Sequence, residues 1–402
     1  VATRWRRFLC DFLAFVFKLF RMIAATLLIA RRVLFFLIVA ASIKTPCLAG
    51  ELDRARLVAA ARAGGDYLVR MQKPDGSFHY IYDAHDDSIL TDTYNILRHS
   101  GAALSLLDLY ATTRDNTYLD SAARAITFLK TRFRPALKSD LYVLDFDEKA
   151  KLGASGLALI VLARQFELDP KRGDRPNAER LANLILSLQH KDGSFESYYR
   201  LHGHKPQGST SLYYPGEAML GLVQLFKLNG DRRLIDAVRR GADHLILTQR
   251  KMDEPPPDAW LMQALDMLHR INPERRYAEH TIDIAQSMIA DQYTTDEKPG
   301  FQGGFGPGRP RATPAASRAE GIVAAYRLAR RVGDARADGI GAALRLVAPF
   351  LLSQQIEPND SSLRKPAQAQ GGFRESATSW EVRIDYVQHN ICALMGIAEA
   401  LF

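Results

Sequence analysis

Beyond residue 50 the apolar positions recur at helical spacing, with no sustained alternation of the kind a half-buried strand shows. The pattern predicts twelve helices. The first six are Glu51–Gln72, Tyr94–Tyr110, Thr117–Arg132, Gly153–Glu167, Asn177–Gln189 and Pro215–Leu228. Arg233–Gln249, Asp258–Arg270, Glu274–Gln292, Pro314–Val332, Ala335–Gln355 and Ile384–Leu401 complete the set. They alternate in character. The even-numbered ones, among them "GLALIVLA" and "GEAMLGLVQLF", are apolar or small on most sides, which suits helices buried on most sides. The odd-numbered ones, such as "DRRLIDAVRRGADHLIL", set a charged stripe opposite an apolar one. Six buried helices alternating with six amphipathic ones predict an all-α fold, an (α/α)6 toroid of six hairpins with an inner and an outer ring.

One short phrase occurs twice. "MQKPDGSF" at Met71–Phe78 returns as "LQHKDGSF" at Leu188–Phe195, 117 residues on. Six hairpins in residues 51–402 give about 59 residues each, so the spacing is close to two hairpins. In each copy the glutamine closes an outer helix, where the last carbonyls lack intrahelical partners, and its amide is expected to donate to them. Asp-Gly supplies the turn, and the aromatic fills the gap between hairpins. Weaker echoes are expected at Gln249, Gln292 and Gln354, the last two followed by "GGF" (Gly303–Phe305, Gly371–Phe373).

A glutamine ending a helix, then Asp-Gly and an aromatic, resembles the repeat of terpenoid cyclases and protein prenyltransferases. The twelve-helix layout is also similar to the barrels of N-acylglucosamine 2-epimerases and unsaturated glucuronyl hydrolases. Both resemblances imply a toroid over residues 51–402, and neither picks out one family.

Composition changes the picture at one end only. An apolar fraction of 47% and a charged fraction of 24% describe a globular chain with ample core. The net charge of +8 is concentrated in residues 1–50, which hold eight of the 53 Lys and Arg and one of the 45 acids. The body is left close to neutral, so there is no electrostatic case for nucleic acid. Residues 1–50 read as a leader: Arg31 and Arg32, an uncharged run Val33–Ile43, then a polar stretch with Pro46 and small residues. A cleaved secretory signal, or an uncleaved anchor on the inner membrane, places the body in the periplasm or outside the cell. Cys10 and Cys47 lie in the leader and Cys392 alone in the body, which excludes an intrachain disulfide there and a zinc site of three or four cysteines.

The long loops all lead into inner helices, so candidate chemistry is sought in the first turns of those helices. In "TDTYNILRHSG", Asp92, Asn95 and His99 share a helical face with Arg98 beside them; Asp92 reads as an N-cap or a ligand contact, His99 as a core histidine or a proton carrier. Asp145, Asp147 and Glu148 resemble the acidic motif of proton-initiated terpenoid cyclases, but the Glu departs from it, and a solvated loop is the better reading; Lys151 follows them. In "LYYPGEAML", Glu217 stands among apolar neighbours with Tyr214 one turn back. It is either a first-turn charge on the helix dipole or a carboxyl whose burial raises its pKa for general-acid use. "RIDYVQHNICAL" sets Asp385, Gln388, His389 and Cys392 on one face with Arg383 outside it. That stripe reads as an acid–base pair of Asp385 and His389, as polar packing, or as a metal site. Trp260 offers a face for a sugar ring, Arg318 and Glu320 open the tenth helix, and Arg309 and Arg311 sit in a Gly/Pro loop.

The sequence thus predicts an exported toroid, with Glu217, Asp385, His389 and His99 as catalytic candidates. Asp92, Asn95, Arg98, Tyr214, Trp260, Arg318, Gln388 and Arg383 are the binding candidates. The expected ligand is a polysaccharide or other extended polar molecule, and nothing calls for a cofactor or a resident metal. Two carboxylates beside a ring-binding aromatic suit glycosidic cleavage, with lyase or epimerase chemistry close to it. A non-catalytic scaffold of a polymer-assembly or secretion system is the alternative, and a terpenoid-cyclase-like enzyme the third.

Overall fold

The computed structural model describes residues 52–90, 93–136, 140–201, 211–296 and 298–402. The expected leader, with Cys10 and Cys47, lies outside the described residues, as does Asp92. The twelve expected helices are present with ends shifted by at most three residues. They are α1 (Arg54–Arg70), α2 (Ile96–Thr113), α3 (Asn116–Lys130), α4 (Leu152–Leu168), α5 (Arg175–Ser187) and α6 (Tyr214–Asn229). The second half comprises α7 (Arg232–Gln249), α8 (Ala259–Ile271), α9 (Arg275–Ala290), α10 (Ala312–Val332), α11 (Ala337–Ser353) and, after one short turn α12 (Pro366–Ala369), α13 (Ile384–Leu401). Short polar side chains start many of them: Asp53, Asn95, Asp115, Asp174, Asp231 and Asp258 each accept a backbone N–H of the first turn.

The inner ring runs α2, α4, α6, α8, α10, α13 and back to α2, each packed on the next, so it closes. Small residues set the spacing. A Cβ on Gly156 would come 2.8 Å from the backbone nitrogen of Ala218, so α4 and α6 approach as they do only because that position is glycine. The outer helices α1, α3, α5, α7, α9 and α11 cover the ring with their apolar stripes. Five three-residue strands were not expected. β1 (Ile81–Asp83) pairs antiparallel with β2 (Ser88–Leu90) and β5 (Glu381–Arg383), while β3 (Phe133–Pro135) pairs with β4 (Leu141–Val143). Strands so short carry too little alternation to register in a sequence window.

The repeated phrase proves to be a latch between neighbouring hairpins, and it occurs four times. Gln72 Nε2 donates to Gly76 O at 3.2 Å and to Ser121 O, on the next outer helix, at 2.9 Å. Gln189 does the same to Gly193 O and Ala237 O, Gln292 to Gly303 O and Ala343 O, and Gln355 to Gly371 O and Ala60 O. In each copy the glutamine backbone bridges to a buried phenylalanine: Phe78, Phe195, Phe305 and Phe373. The amide therefore serves its turn and its neighbour, not its own helix, because the neighbouring carbonyls lie nearer. Two expected echoes are corrected. Gln354 is not the latch residue, Gln355 is; and Gln249 instead takes a hydrogen bond from His280 on α9 at 2.8 Å. The last latch joins α11 to α1, across the seam between the final and first hairpins.

Candidate active site at the long-loop mouth

The six inner helices all begin at one end of the ring, and there a cavity of about 650 Å³ opens among them. Its wall includes Asn95 and Arg98 from α2, Tyr214 and Glu217 from α6, Trp260 from α8, Arg318 from α10, and Asp385, Gln388 and His389 from α13. Nine of the twelve candidate residues thus share one hollow. Of the other three, Arg383 stands next to it, His99 lies elsewhere, and Asp92 is not described. The Phe305–Arg311 loop supplies the rim.

Glu217 is the most unusual group in this wall. Its side chain lies against α4 where Gly153 leaves room, since a Cβ there would fall 2.1 Å from Oε2. It is 6% exposed, and Oε2 has no hydrogen-bond partner in the protein. Loss of hydration pushes its pKa up to about 8, and the negative charge of Asp258 adds to the rise. Asp258 was read from sequence only as a helix start. It is wholly buried, caps α8 through Trp260 N and Leu261 N, and keeps Oδ2 unpartnered. Burial lifts its pKa to about 7 against those two N–H donors. Gly216 makes the approach possible, because a Cβ there would lie 3.0 Å from Asp258 Oδ2. Two buried carboxyls that repel each other when charged hold protons near neutrality.

Across the cavity the α13 stripe divides. Asp385 does not pair with His389. Arg383 Nε and Nη2 hold its two oxygens at 2.6 and 3.1 Å, and Arg98 Nε stands 3.3 Å from Oδ2. A carboxylate clamped by two guanidiniums is a poor base or nucleophile, and Arg98 and Arg383 are in turn committed to it rather than free for a ligand. His389 Nδ1 instead lies 2.7 Å from Glu320 Oε1 on α10. Burial alone lowers this imidazole, but the charge and hydrogen bond of Glu320 outweigh it and leave its pKa raised. The Trp260 ring sits 6.3 Å from the His389 ring, centroid to centroid. Asp385, His389 and Cys392 do not converge on a point; among the described residues no three His, Cys, Asp or Glu are placed to hold a metal ion.

Other readings are corrected by their surroundings. His99 is fully buried among Phe78, Tyr94 and Phe128, with Nδ1 2.7 Å from the Tyr94 hydroxyl and Nε2 2.8 Å from Ala125 O. Burial drives its pKa down to about 4, so it is a neutral core residue. His99→Ala is expected to lower the melting temperature by several degrees, through about 3 kcal/mol of lost packing and unpaired polar groups; a thermal melt with no shift would contradict the core assignment. Asn95 faces the cavity, yet its amide caps α2 and donates to Asp145. Asp145 is not solvated: 1% exposed, it accepts from Ile96 N and Phe146 N and binds Lys151 Nζ at 2.6 Å. That cluster fixes the start of α2 to the β3–β4 arm.

A second cavity, of about 850 Å³, occupies the short-loop end. Trp260 lines both, while Glu320 faces the second and His389 the first, so these three side chains stand between them. Charges in the second cavity close on one another: Arg164 with Asp108, Arg270 with Asp266, Arg327 with Glu399, at 2.7 to 3.0 Å. The candidate site is therefore the first.

No protein-family model matches the sequence, and no curated protein matches it. Solved structures do match in fold. The cellobiose 2-epimerase from Bacillus thermoamylovorans B4167 aligns with a TM-score of 0.64 at 13% identity, over 85% of this chain and 99% of its own. A D-mannose isomerase aligns with a TM-score of 0.64 at 13% identity, over 89% and 100%. An inactive variant of the α-1,6-mannanase of Salegentibacter sp. HEL1_6, in complex with α-1,6-mannotetrose, aligns with a TM-score of 0.59 at 13% identity, over 86% and 99%. At that identity the likeness is one of architecture, the (α/α)6 toroid.

Proposed function

We propose that this chain is a carbohydrate-active enzyme that works by acid–base chemistry in the long-loop cavity. The observation that carries the reading is Glu217, a buried carboxyl that is protonated near neutral pH, with a free oxygen in the wall of a cavity sized for one or two sugar rings. His389, backed by Glu320, stands in the same cavity as the proton acceptor. Glu320 orients the imidazole and stabilises its charged form, as a carboxylate behind a catalytic histidine does. Trp260 supplies an apolar face for a pyranose ring. That the matching structures include sugar epimerases, an isomerase and a mannanase supports a saccharide as ligand. The charged wall does not suit a polyisoprenoid, so the terpenoid-cyclase reading is weaker. The leader pattern of residues 1–50 supports action in the periplasm or outside the cell, on an envelope polysaccharide or its fragments.

The test is product formation. Incubation with a panel of neutral and acidic oligosaccharides, followed by proton NMR, should show either new reducing ends or a changed ring configuration, which separates hydrolysis from epimerisation. His389→Ala is expected to lower kcat by about 10²–10⁴-fold. Saturable binding with no product from any sugar would support a glycan-binding scaffold instead, and an absence of both binding and product would remove saccharides from consideration.

A further inference from the structure

The charges lining the candidate site do not cancel. Four arginines reach the cavity, Arg98, Arg309, Arg311 and Arg318, against two carboxyls, Glu217 and Asp385. Arg98 is engaged by Asp385 at 3.3 Å, and Arg311 lies 3.6 Å from Glu375. Glu217 carries a proton near neutrality and offers no counter-charge. Arg309 and Arg318 are left with no carboxylate in ion-pair range among the described residues. Arg309 is exposed at the rim, over the Phe301 ring, and water solvates it.

Arg318 is different. It is half-buried on α10, two turns into the helix, with its guanidinium over the ring of Phe305. Its Nε is buried and has no hydrogen-bond partner in the protein. A guanidinium withdrawn from water without a counter-charge costs free energy that the fold itself does not offset here. The aromatic face covers one side of the guanidinium, leaving its N–H edge to meet a ligand. That edge matches the two oxygens of a carboxylate or phosphate, whereas a single hydroxyl would satisfy one N–H and neutralise nothing.

We infer that the cavity takes a saccharide bearing an anionic substituent, a carboxylate or a phosphate, and that Arg318 receives that group. The inference rests on the proposed saccharide site and narrows it to acidic sugars. The second cavity shows that the imbalance is local, since its arginines are matched by acids of their own.

The experiment uses the full chain on an array of immobilised oligosaccharides in which each backbone is present in neutral, uronate and phosphorylated form. The expected result is binding to acidic forms at least about tenfold tighter than to the neutral form of the same backbone, weakening as salt is raised. Arg318→Gln should bind acidic and neutral forms alike, and Arg318→Lys should keep part of the preference. The uronate and phosphate arms identify which anion is read. Equal binding of neutral and acidic forms by the wild type, or an unchanged preference in Arg318→Gln, overturns this inference and leaves the saccharide site standing. No binding on any arm overturns both. A thermal melt of Arg318→Gln within about 2 °C of wild type guards against misfolding, as expected where no partner in the protein is lost.

Discussion

Glu217→Gln is expected to reduce kcat by about 10³-fold on whichever sugar the enzyme turns over, because an amide cannot give up a proton to a leaving or enolising oxygen. The wild-type rate should fall as pH rises through about 8, the value to which burial and Asp258 lift the Glu217 carboxyl. Asp258→Asn removes the neighbouring charge, so that limb should move to lower pH while turnover survives at acidic pH. An unmoved limb in Asp258→Asn would show that Asp258 does not set the proton affinity of Glu217. Stability follows the same groups. The unfolded carboxyl ionises near 4.5, and the folded one near 8. Between those values the unfolded chain has lost a proton that the folded chain keeps, so stability declines with rising pH across that window and is level on either side. The decline is on the order of a few kcal/mol. Glu217→Gln should flatten it and raise the melting temperature at pH 8–9 above wild type. A pH–melting curve identical in the two proteins would refute the buried-acid assignment.

The second large effect concerns the latches. Gly371 has φ +80°, and a Cβ there would lie 2.2 Å from Ala63 O on α1. Gly76, Gly193 and Gly303 have the same conformation and the same contact, with Arg124 O, Arg240 O and Leu346 O. Gly371→Ala therefore forces apart the first and last hairpins as well as straining the backbone. Gly230 provides the control: φ +70° at the end of α6, with nothing within 4 Å of its added Cβ. Gly230→Ala should cost about 1 kcal/mol, the left-handed penalty alone. Gly371→Ala should cost at least about 3 kcal/mol, in the range where a single change threatens folding. Urea unfolding of the two variants side by side measures the difference, and equal losses would show that the contact with Ala63 relaxes without cost.

What the sequence could and could not show follows from distance along the chain. Helices such as α4 and α7 were legible because burial writes itself into a period of 3.6 residues within one element. The corner motif was legible as a repeat, but its second acceptor was not: Gln72 meets Ser121, and Gln355 meets Ala60 almost 300 positions away. The same limit explains the site. Asp385 and His389 share a helical face, so a pairing between them was the natural local reading, yet Glu320 and Arg98 on other helices claim them. Asp258 looked like an ordinary N-cap. The only local hint of its closeness to Glu217 was Gly216, a residue small enough to let another element in. His99 carried an ambiguity that only its aromatic neighbours could resolve.

The seam between the last hairpin and the first is built like the joints inside the ring. Gln355 reaches α1 as Gln72 reaches α3, and β5 lies beside β1 as though the two loops were consecutive. The order in which the hairpins are numbered therefore belongs to the gene, not to the shape. Because α13 runs back toward the start of α1, residues 52 and 402 lie at the short-loop end, away from the candidate site. A circularly permuted gene, opened in the Arg114–Asp115 turn and spliced between those two ends, would keep every long loop uncut and every side chain of the candidate site in place.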